Sequence, residues 1–567
     1  MDNNRAAKFG ILILILLVAA VLRVVNLDEN PPGIHVDEAS NAWNAYTLLK
    51  TGKDEHGVRW PIFYTRAFGE NHSAVILYAL LPFQAVGGMN LWTTRLPIAV
   101  SGVICVLLIY FIGARLFGAA VGLVAAAILA VNPWHLQATR IGLEGGLVPI
   151  MILAPLAALL WANLPFDDDE ERRPRPALAA FAGALAGASC YSYWAVRMFL
   201  PVFVIGAVLV TWRAWWKRLQ TREWRFAIGC LLIGGAVTFG PLVWEHLTDP
   251  EIGKRGQMST WVWDDSDTLS ERIGKVLGRY PGHFGLDLLF IRGDHHPAYA
   301  PPPGTGLFFW YDLPLMLMGL AVLISRYRSS RAARFVLLWL ALHPAADLLN
   351  KLYPGADLLG VHSWRSLPGV GGFVLLAAVG AVTAGRWLWQ RHRQTAAVVF
   401  YVMIFFIIEL NAAFLYQFFG DLNRQKYSQA LYEPDILEAS QWLRPRFNDV
   451  DAVFVTGHAM RPYIVTLVGL SYDPVQWFRD VREVVQGPLP NGEYRNEDVY
   501  LRYGKIRFLF TVSNLATLKK QMGSGWHGRA IFIVRPGELG LDKQTRPVYE
   551  VHNPEGQVVL QIFDLYL

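Results

Sequence analysis

The chain has 567 residues, of which 53% are hydrophobic and 17% charged, with a formal net charge of +6. Soluble globular proteins carry about 25% charged residues, so this deficit, concentrated in long apolar runs, excludes an ordinary soluble protein. The basic excess lies in short clusters at the ends of apolar segments, which suits orientation in a membrane and not a nucleic-acid-binding face.

The first apolar run, residues 9–22, follows Arg5 and Lys8. No small-x-small cleavage site comes after it, so it reads as an uncleaved first span, 8–27. Further candidate spans are 93–115, 117–134, 146–163, 177–192, 198–214, 226–245, 307–325, 333–345, 366–385 and 394–416. Each approaches the length of about 20 apolar residues that a hydrocarbon layer requires. Cys105, Cys190 and Cys230 all fall in apolar stretches, without disulfide or metal spacing.

Arginine and lysine cluster at 172–175, 213–225, 326–334 and 386–393. The positive-inside rule places these clusters on the cytoplasmic side with Arg5 and Lys8. The first span then exits, so 28–72 is outside, and the span 146–163 requires 135–145 to be outside as well. Two spans connect these loops. The apolar segment 73–88 is ambiguous: parity leaves it at the outer interface without crossing, and a conventional crossing is the competing reading. Four outer regions result: 28–92, 135–145, 246–306 and 346–365. The acidic run 167–171 reads as a solvated cytoplasmic loop. Beyond 417 the long apolar runs stop. Strand-like segments at 452–457, 506–512, 530–536 and 558–567, a helical stretch at 434–444 and a loop at 488–498 indicate a compact α/β domain. The expected architecture is a polytopic α-helical membrane domain, 1–417, with about 11 spans, and an extracytoplasmic α/β domain, 418–567.

The first outer loop holds the densest polar chemistry. Pro31 and Pro32 stop the first helix; His35, Asp37 and Glu38 follow and open a helix over 38–49. Acids at a helix start are explained by capping and the helix dipole. Here, however, further polar residues stand at other outer boundaries: Glu70 and His72, Arg140 and Glu144, Tyr191, Tyr193 and Arg197, and His362 and Arg365. Ionisable groups near hydrocarbon depth are costly unless paired or lining a wet cavity. Together they predict one polar cavity at the outer leaflet. Carboxylates and arginines at such a surface suit transfer from a phosphate-linked lipid. A carboxylate takes the proton of an acceptor hydroxyl, and an arginine binds the phosphate and stabilises it as it leaves. No Walker A or dinucleotide fingerprint competes. In the loop 246–306, His295 and His296 lack a helical partner at metal-ligand spacing, so a binding loop or lid is expected.

The segments HVDEASNAWNAYTLLKTG, WPIFY, RLPIAVSGVICVLLIYFIGARLFG and ILAVNPWHLQATRIGLEGG resemble the GT-C membrane glycosyltransferases, family 39 type, which include protein O-mannosyltransferases and lipid A aminoarabinose transferases. The likeness is strongest over 8–165 and weaker to 416. It implies a polyprenyl-phosphate sugar donor, a protein, lipid or glycan acceptor, transfer on the extracytoplasmic face, usually with inversion, and an inner (plasma) membrane location in a bacterium. It also implies Asp37 as catalytic base with Glu38 beside it, Glu144 as the acid of the second outer loop, and Arg365 and Arg140 near the donor phosphate. His35, Glu70, His72, Tyr193, Arg197 and His362 complete the expected binding set. Relatives often carry Lys-Pro-Pro or His-Pro-Pro where this chain has Glu70-Asn71-His72-Ser73, which leaves sugar and acceptor open. No cofactor is required by this reading, though Asp37, Glu38, Glu144 and His35 offer ligands suited to a divalent metal. A transporter and a lipid-linked polysaccharide ligase are the competing readings. A transporter would show inverted repeats, which this chain lacks.

Overall fold

The computed structural model describes residues 3–249, 262–263, 266–294, 301–302, 304–350, 361–420, 432–488, 494–510, 514–522, 527–541 and 544–567. The chain forms two compact units. One, largely helical, comprises Met1–Val25 and Ile98–Phe418; the other, mixed, comprises Asn26–Pro97 and Phe419–Leu567. A boundary thus falls at 418/419, one residue from the expected 417/418, but the first outer loop clusters with the tail and not with the helices.

In the helical unit every expected span falls on a helix. Among the described residues, six helices are long and apolar enough to cross a membrane: Arg5–Val24, Leu91–Phe117 (whose first turns belong to the mixed unit), Glu144–Trp161, Arg222–Thr248, Ser363–Arg391 and Arg393–Phe419. A seventh is added if Trp194–Val210 and Trp212–Leu219, bent by 74° at Thr211, form one span. The other four expected spans fall on helices of 12 to 14 residues, Ala119–Val131, Pro176–Ser189, Asp312–Ser325 and Arg331–Leu342. Eleven crossings are therefore not established, while a polytopic helical architecture is.

Small residues let these helices approach closely, the usual solution where lipid supplies no hydrophobic drive between helices. A Cβ at Gly183 or Gly234 would collide with backbone of the facing helix in the pair Pro176–Ser189 and Arg222–Thr248. Gly319 and Gly380 play the same part between Asp312–Ser325 and Val370–Arg391.

In the acidic run 167–171, expected as a solvated loop, Asp168, Glu170 and Glu171 are exposed and Asp167 alone is buried. Asp167 is buried and pairs with Arg115 at 2.8 Å. Asp168 accepts the Ser330 hydroxyl and the Arg331 N–H, both at 2.6 Å, and Glu170 pairs with Lys217 and Arg331. Basic residues that serve orientation in the sequence here find acidic partners that tie helix ends together.

The mixed unit is built on a seven-stranded sheet of order β4-β5-β6-β3-β7-β9-β8. Its strands are β3 (Ala452–Thr456), β4 (Arg482–Pro488), β5 (Tyr494–Tyr503), β6 (Ile506–Leu509), β7 (Arg529–Val534), β8 (Tyr549–His552) and β9 (Val558–Tyr566). β3 runs parallel to both neighbours and is buried along its length, as a central parallel strand must be. The α/β expectation for the tail holds in kind. Three of its strands, β4, β5 and β8, went unread, and β5 begins at Tyr494, inside the expected loop 488–498.

The loop portion of this unit is ordered too. Helix Val36–Thr51 ends on Gly52, whose φ of 71° provides the left-handed cap. β1 (Tyr64–Ala67) and β2 (Glu70–Ser73) form a hairpin. Its two-residue turn, Phe68-Gly69, has φ of 54° and 78°, the doubly positive geometry that matches strand twist. Helix Val75–Gly87, on the ambiguous apolar segment, has 13 residues. At 1.5 Å per residue it reaches about 20 Å, short of a hydrocarbon layer of about 30 Å.

Candidate functional site

The expected site residues fall into two groups, one in each unit. In the mixed unit, the chain leaves the first helix and turns at Pro31 and Pro32 into helix Val36–Thr51, with His35 as N-cap. His35 Nδ1 accepts the Asp37 N–H at 3.1 Å, and the His35 N–H donates to Glu38 Oε2 at 3.4 Å. This reciprocal cap fixes the first turn.

The two adjacent acids meet opposite environments. Glu38 is fully buried and clamped by Arg95, whose Nε donates to Oε1 at 2.8 Å and Nη2 to Oε2 at 3.0 Å. Arg95, also fully buried, gives its other N–H groups to the carbonyls of Leu27 (3.0 Å), Pro31 (2.7 Å) and Gly33 (2.7 Å). One guanidinium therefore satisfies five acceptors along 27–38 and sets the path of the chain. Asp37 is different. Its side chain is 33% exposed, and among the described residues its carboxylate faces His35 alone, at 3.9 Å. Burial holds the His35 imidazole below its ordinary range, against the pull of Asp37 and Glu38, and His72 adds to the depression. His35 is thus neutral, which agrees with Nδ1 acting as acceptor. His72, on β2, belongs to the same neighbourhood, while Glu70 at the start of β2 is exposed.

The helix that carries Asp37 rests on the sheet portion of its own unit. Trp43 meets Trp477 edge-to-face at 5.8 Å, and the His35 ring meets Tyr432 at 5.4 Å. The Ile34 N–H donates to the Tyr432 carbonyl at 2.7 Å, and Trp477 Nε1 donates to the Glu55 carbonyl at 3.1 Å. The hairpin tip at Phe68 lies under the Arg461 guanidinium, 5.0 Å from the ring centroid.

In the helical unit, the segments bearing Glu144, Tyr193, Arg197, His362 and Arg365 are packed together. The turn Glu144–Leu147 meets helix Ser363–Ser366, with Gly145 so close to the Trp364 ring that no Cβ fits. Trp134 Nε1 donates to the Ser363 carbonyl at 3.1 Å. Helix Trp194–Val210, with Tyr193 as its N-cap, packs on Ser363–Ser366 as well. Arg197 donates through Nε to the Cys190 carbonyl at 2.7 Å and braces the turn before it.

Arg140 is fully buried and gives Nη1 and Nη2 to the carbonyls of Leu22 and Val25, at 2.7 and 2.8 Å. It satisfies the C-terminal carbonyls of the first helix, groups that otherwise lack partners. Arg23 returns the favour: it donates to Thr139 Oγ1 and to the carbonyls of Leu129 and Ala130. Arg365, by contrast, keeps 23% of its side chain exposed.

Sequence reasoning missed Arg95, Asp347, Arg279 and His283. Arg95 carried one signal: an ionisable residue within the opening turns of an apolar helix demands a partner. His295 and His296 lie outside the described residues. Among the described residues, no three His, Cys, Asp or Glu side chains are grouped as a metal ion would need.

Residues 71–244 match the family described as dolichyl-phosphate-mannose-protein mannosyltransferase. Among solved structures, ArnT from Cupriavidus metallidurans in the apo state is similar with a TM-score of 0.52 and 13% identity, covering 98% of each chain. The same protein bound to undecaprenyl phosphate gives 0.51 and 14%, again over 98% of each chain. The oligosaccharyltransferase AglB from Archaeoglobus fulgidus, in complex with an inhibitory peptide and a dolichol-phosphate, gives 0.49 and 12%, covering 100% of this chain and 75% of that one. No curated protein matches the sequence. At such identities the likeness is one of fold. The resemblance read from the sequence stands: the chain has the GT-C fold of polytopic membrane glycosyltransferases.

Proposed function

We propose that this chain, built on the GT-C fold, transfers a glycosyl group from a polyprenyl-phosphate donor to an acceptor hydroxyl on the extracytoplasmic face of a bacterial inner membrane, with inversion. The observation that carries the reading is the unequal treatment of Asp37 and Glu38. A buried ion pair with Arg95 holds the turn, and the neighbouring carboxylate is left part-exposed on a rigid helix start. A general base needs both features, a fixed position and room for the proton it receives.

In this mechanism Asp37 takes the proton of the acceptor hydroxyl, whose oxygen attacks the anomeric carbon from the face opposite the phosphate. The C–O bond to the phosphate breaks, and polyprenyl phosphate leaves. Arg365 binds the donor phosphate and stabilises the charge gathering on it, the kind of contact that strengthens in the transition state. Glu38 and His35 position Asp37. Glu144, Tyr193 and His362 line the donor side, and Glu70 and His72 the acceptor side. Arg140 and Arg197, bonded to backbone carbonyls, support the segments that bear these groups.

Purified protein incubated with a panel of polyprenyl-phosphate sugars and candidate acceptors, with products read by mass spectrometry, tests the reading. Asp37→Asn is expected to lower turnover by about 100-fold or more while the thermal unfolding temperature stays unchanged. Full rate in Asp37→Asn removes Asp37 from the mechanism.

A further inference from the structure

Three basic clusters of the helical unit meet at one end of it. The segment 211–226 carries four tryptophans and five basic residues against a single acid, Glu223. Its Arg218 is buried and donates to the carbonyls of Asp169 (2.9 Å) and Arg172 (3.4 Å), which joins it to the cluster 172–175. Lys217 reaches Glu170 at 3.2 Å. The Arg331 N–H donates to Asp168 at 2.6 Å and brings in the cluster 326–334. The positive-inside rule assigns this end to the cytoplasmic leaflet.

Within the segment, side chains are sorted by chemistry. At Thr211 the chain turns by 74° into helix Trp212–Leu219. Trp215 Nε1 donates to Thr211 Oγ1 at 3.1 Å, and that hydroxyl donates to the Ala207 carbonyl, so the bend is bonded across. Trp212, Trp216 and Leu219 stand at i, i+4 and i+7 and share one face of the short helix. The two tryptophans are 55% and 65% exposed. Their face is flanked by exposed apolar side chains, Leu209 before it and Phe226 after it. Arg213 and Lys217 follow each tryptophan by one residue and are exposed on the adjoining flank. Arg222 and Arg225, in the next helix start, are exposed as well. Among the described residues, no carboxylate pairs with Arg213, Arg222 or Arg225.

We infer that helix Trp212–Leu219 and the turn to Arg225 form a docking surface for anionic phospholipid of the adjoining leaflet. Trp212 and Trp216 enter at the level of the headgroups, where an indole satisfies both its apolar body and its N–H. Arg213, Arg222 and Arg225 take the headgroup phosphates through charge-assisted hydrogen bonds. Charge decides the occupant. A basic excess at a membrane surface draws anionic lipids, whereas a zwitterionic lipid already offsets its phosphate with its own ammonium. A soluble acidic protein would match the arginines but leave uncovered the apolar face that runs from Leu209 to Phe226.

Hydrogen exchange of the full-length protein in phosphatidylcholine nanodiscs, with and without phosphatidylglycerol, tests the inference. Amides over 212–219 should exchange several-fold more slowly when phosphatidylglycerol is present, and high salt should shrink the difference. The combined changes Arg213→Gln, Arg222→Gln and Arg225→Gln should abolish this lipid dependence. Arg213→Lys, Arg222→Lys and Arg225→Lys together should keep most of it, because the charge is retained. The three side chains are exposed, so both variants should fold. Equal exchange in the two lipid compositions, or an undiminished lipid dependence in the Gln variant, overturns the inference. Protection of the same amides in phosphatidylcholine by a soluble polyglutamate peptide, to the extent that phosphatidylglycerol achieves, overturns it too and points to an acidic protein instead.

Discussion

A guanidinium left buried without its counter-ion is among the costlier defects a protein can carry, about 3–5 kcal/mol. Arg95 would become one if Glu38 lost its charge. Glu38→Gln should therefore destabilise the protein by about 3 kcal/mol or more. Asp37→Asn, at a part-exposed carboxylate, should stay within about 0.5 kcal/mol. Thermal unfolding in one detergent, set beside turnover, separates the two. Asp37→Asn should lose rate and keep stability, and Glu38→Gln should lose stability first. If both variants unfold like wild type, Arg95 does not depend on Glu38. The acid pair was legible in the sequence, but the division of labour within it was not. Arg95 lies 57 residues beyond Glu38, and nothing local to either residue shows that one carboxylate is spoken for. The same holds for Arg140, whose place at an outer boundary could be read, though not its bonds to the carbonyls of Leu22 and Val25.

Helices of the membrane unit were legible because apolar composition alone marks them. The hairpin over 64–73 was not, since its strands are four residues each and polar at Glu70–His72. Its register follows from a turn in which a non-glycine residue, Phe68, takes a positive φ. Nor could composition show that helix Val36–Thr51 sits on tail residues, because the buried stripe of Ala39, Ala42 and Trp43 fits any apolar partner equally well. The structure names that partner in Trp477, which is fully buried and meets Trp43 and Tyr503 edge-to-face and Tyr500 at a tilt. Truncation of such an aromatic leaves a cavity and costs about 3–5 kcal/mol. Trp477→Ala should show that loss in stability and a fall in turnover as well, since the helix that bears Asp37 loses its support. Trp477→Phe should recover most of both. Gly33→Ala makes an independent check on the same contact. Its φ of 73° and its closeness to the Tyr432 carbonyl leave no room for a methyl group, so it should destabilise despite adding one carbon.

At the scale of the whole chain, the loop 26–97 and the tail from 419 fold as one body. A single core runs through them, from Ile34, Ala39 and Trp43 to Ile464, Trp477 and Ile531. The tail is thus no appendage: it completes the body that bears Asp37. If it is removed after 418, Ile34, Ala42 and Trp43 lose their cover and Glu55 loses the bonds to Trp477 and Tyr463. Helix Val36–Thr51 then has too few contacts to offset the entropy of ordering it, because a 16-residue helix is marginal alone. Limited trypsin digestion of full-length and truncated proteins, followed by peptide mass spectrometry, reads the consequence directly. Lys50, Lys53, Arg59 and Arg66 lie in the loop and should be cut slowly in the full chain and at least tenfold faster in the truncated one. Cleavage in the basic segment 326–334, which belongs to the helical unit, should be unchanged. Equal protection of the loop in both proteins would mean that it folds without the tail. The tail would then need a role other than holding Asp37 in place.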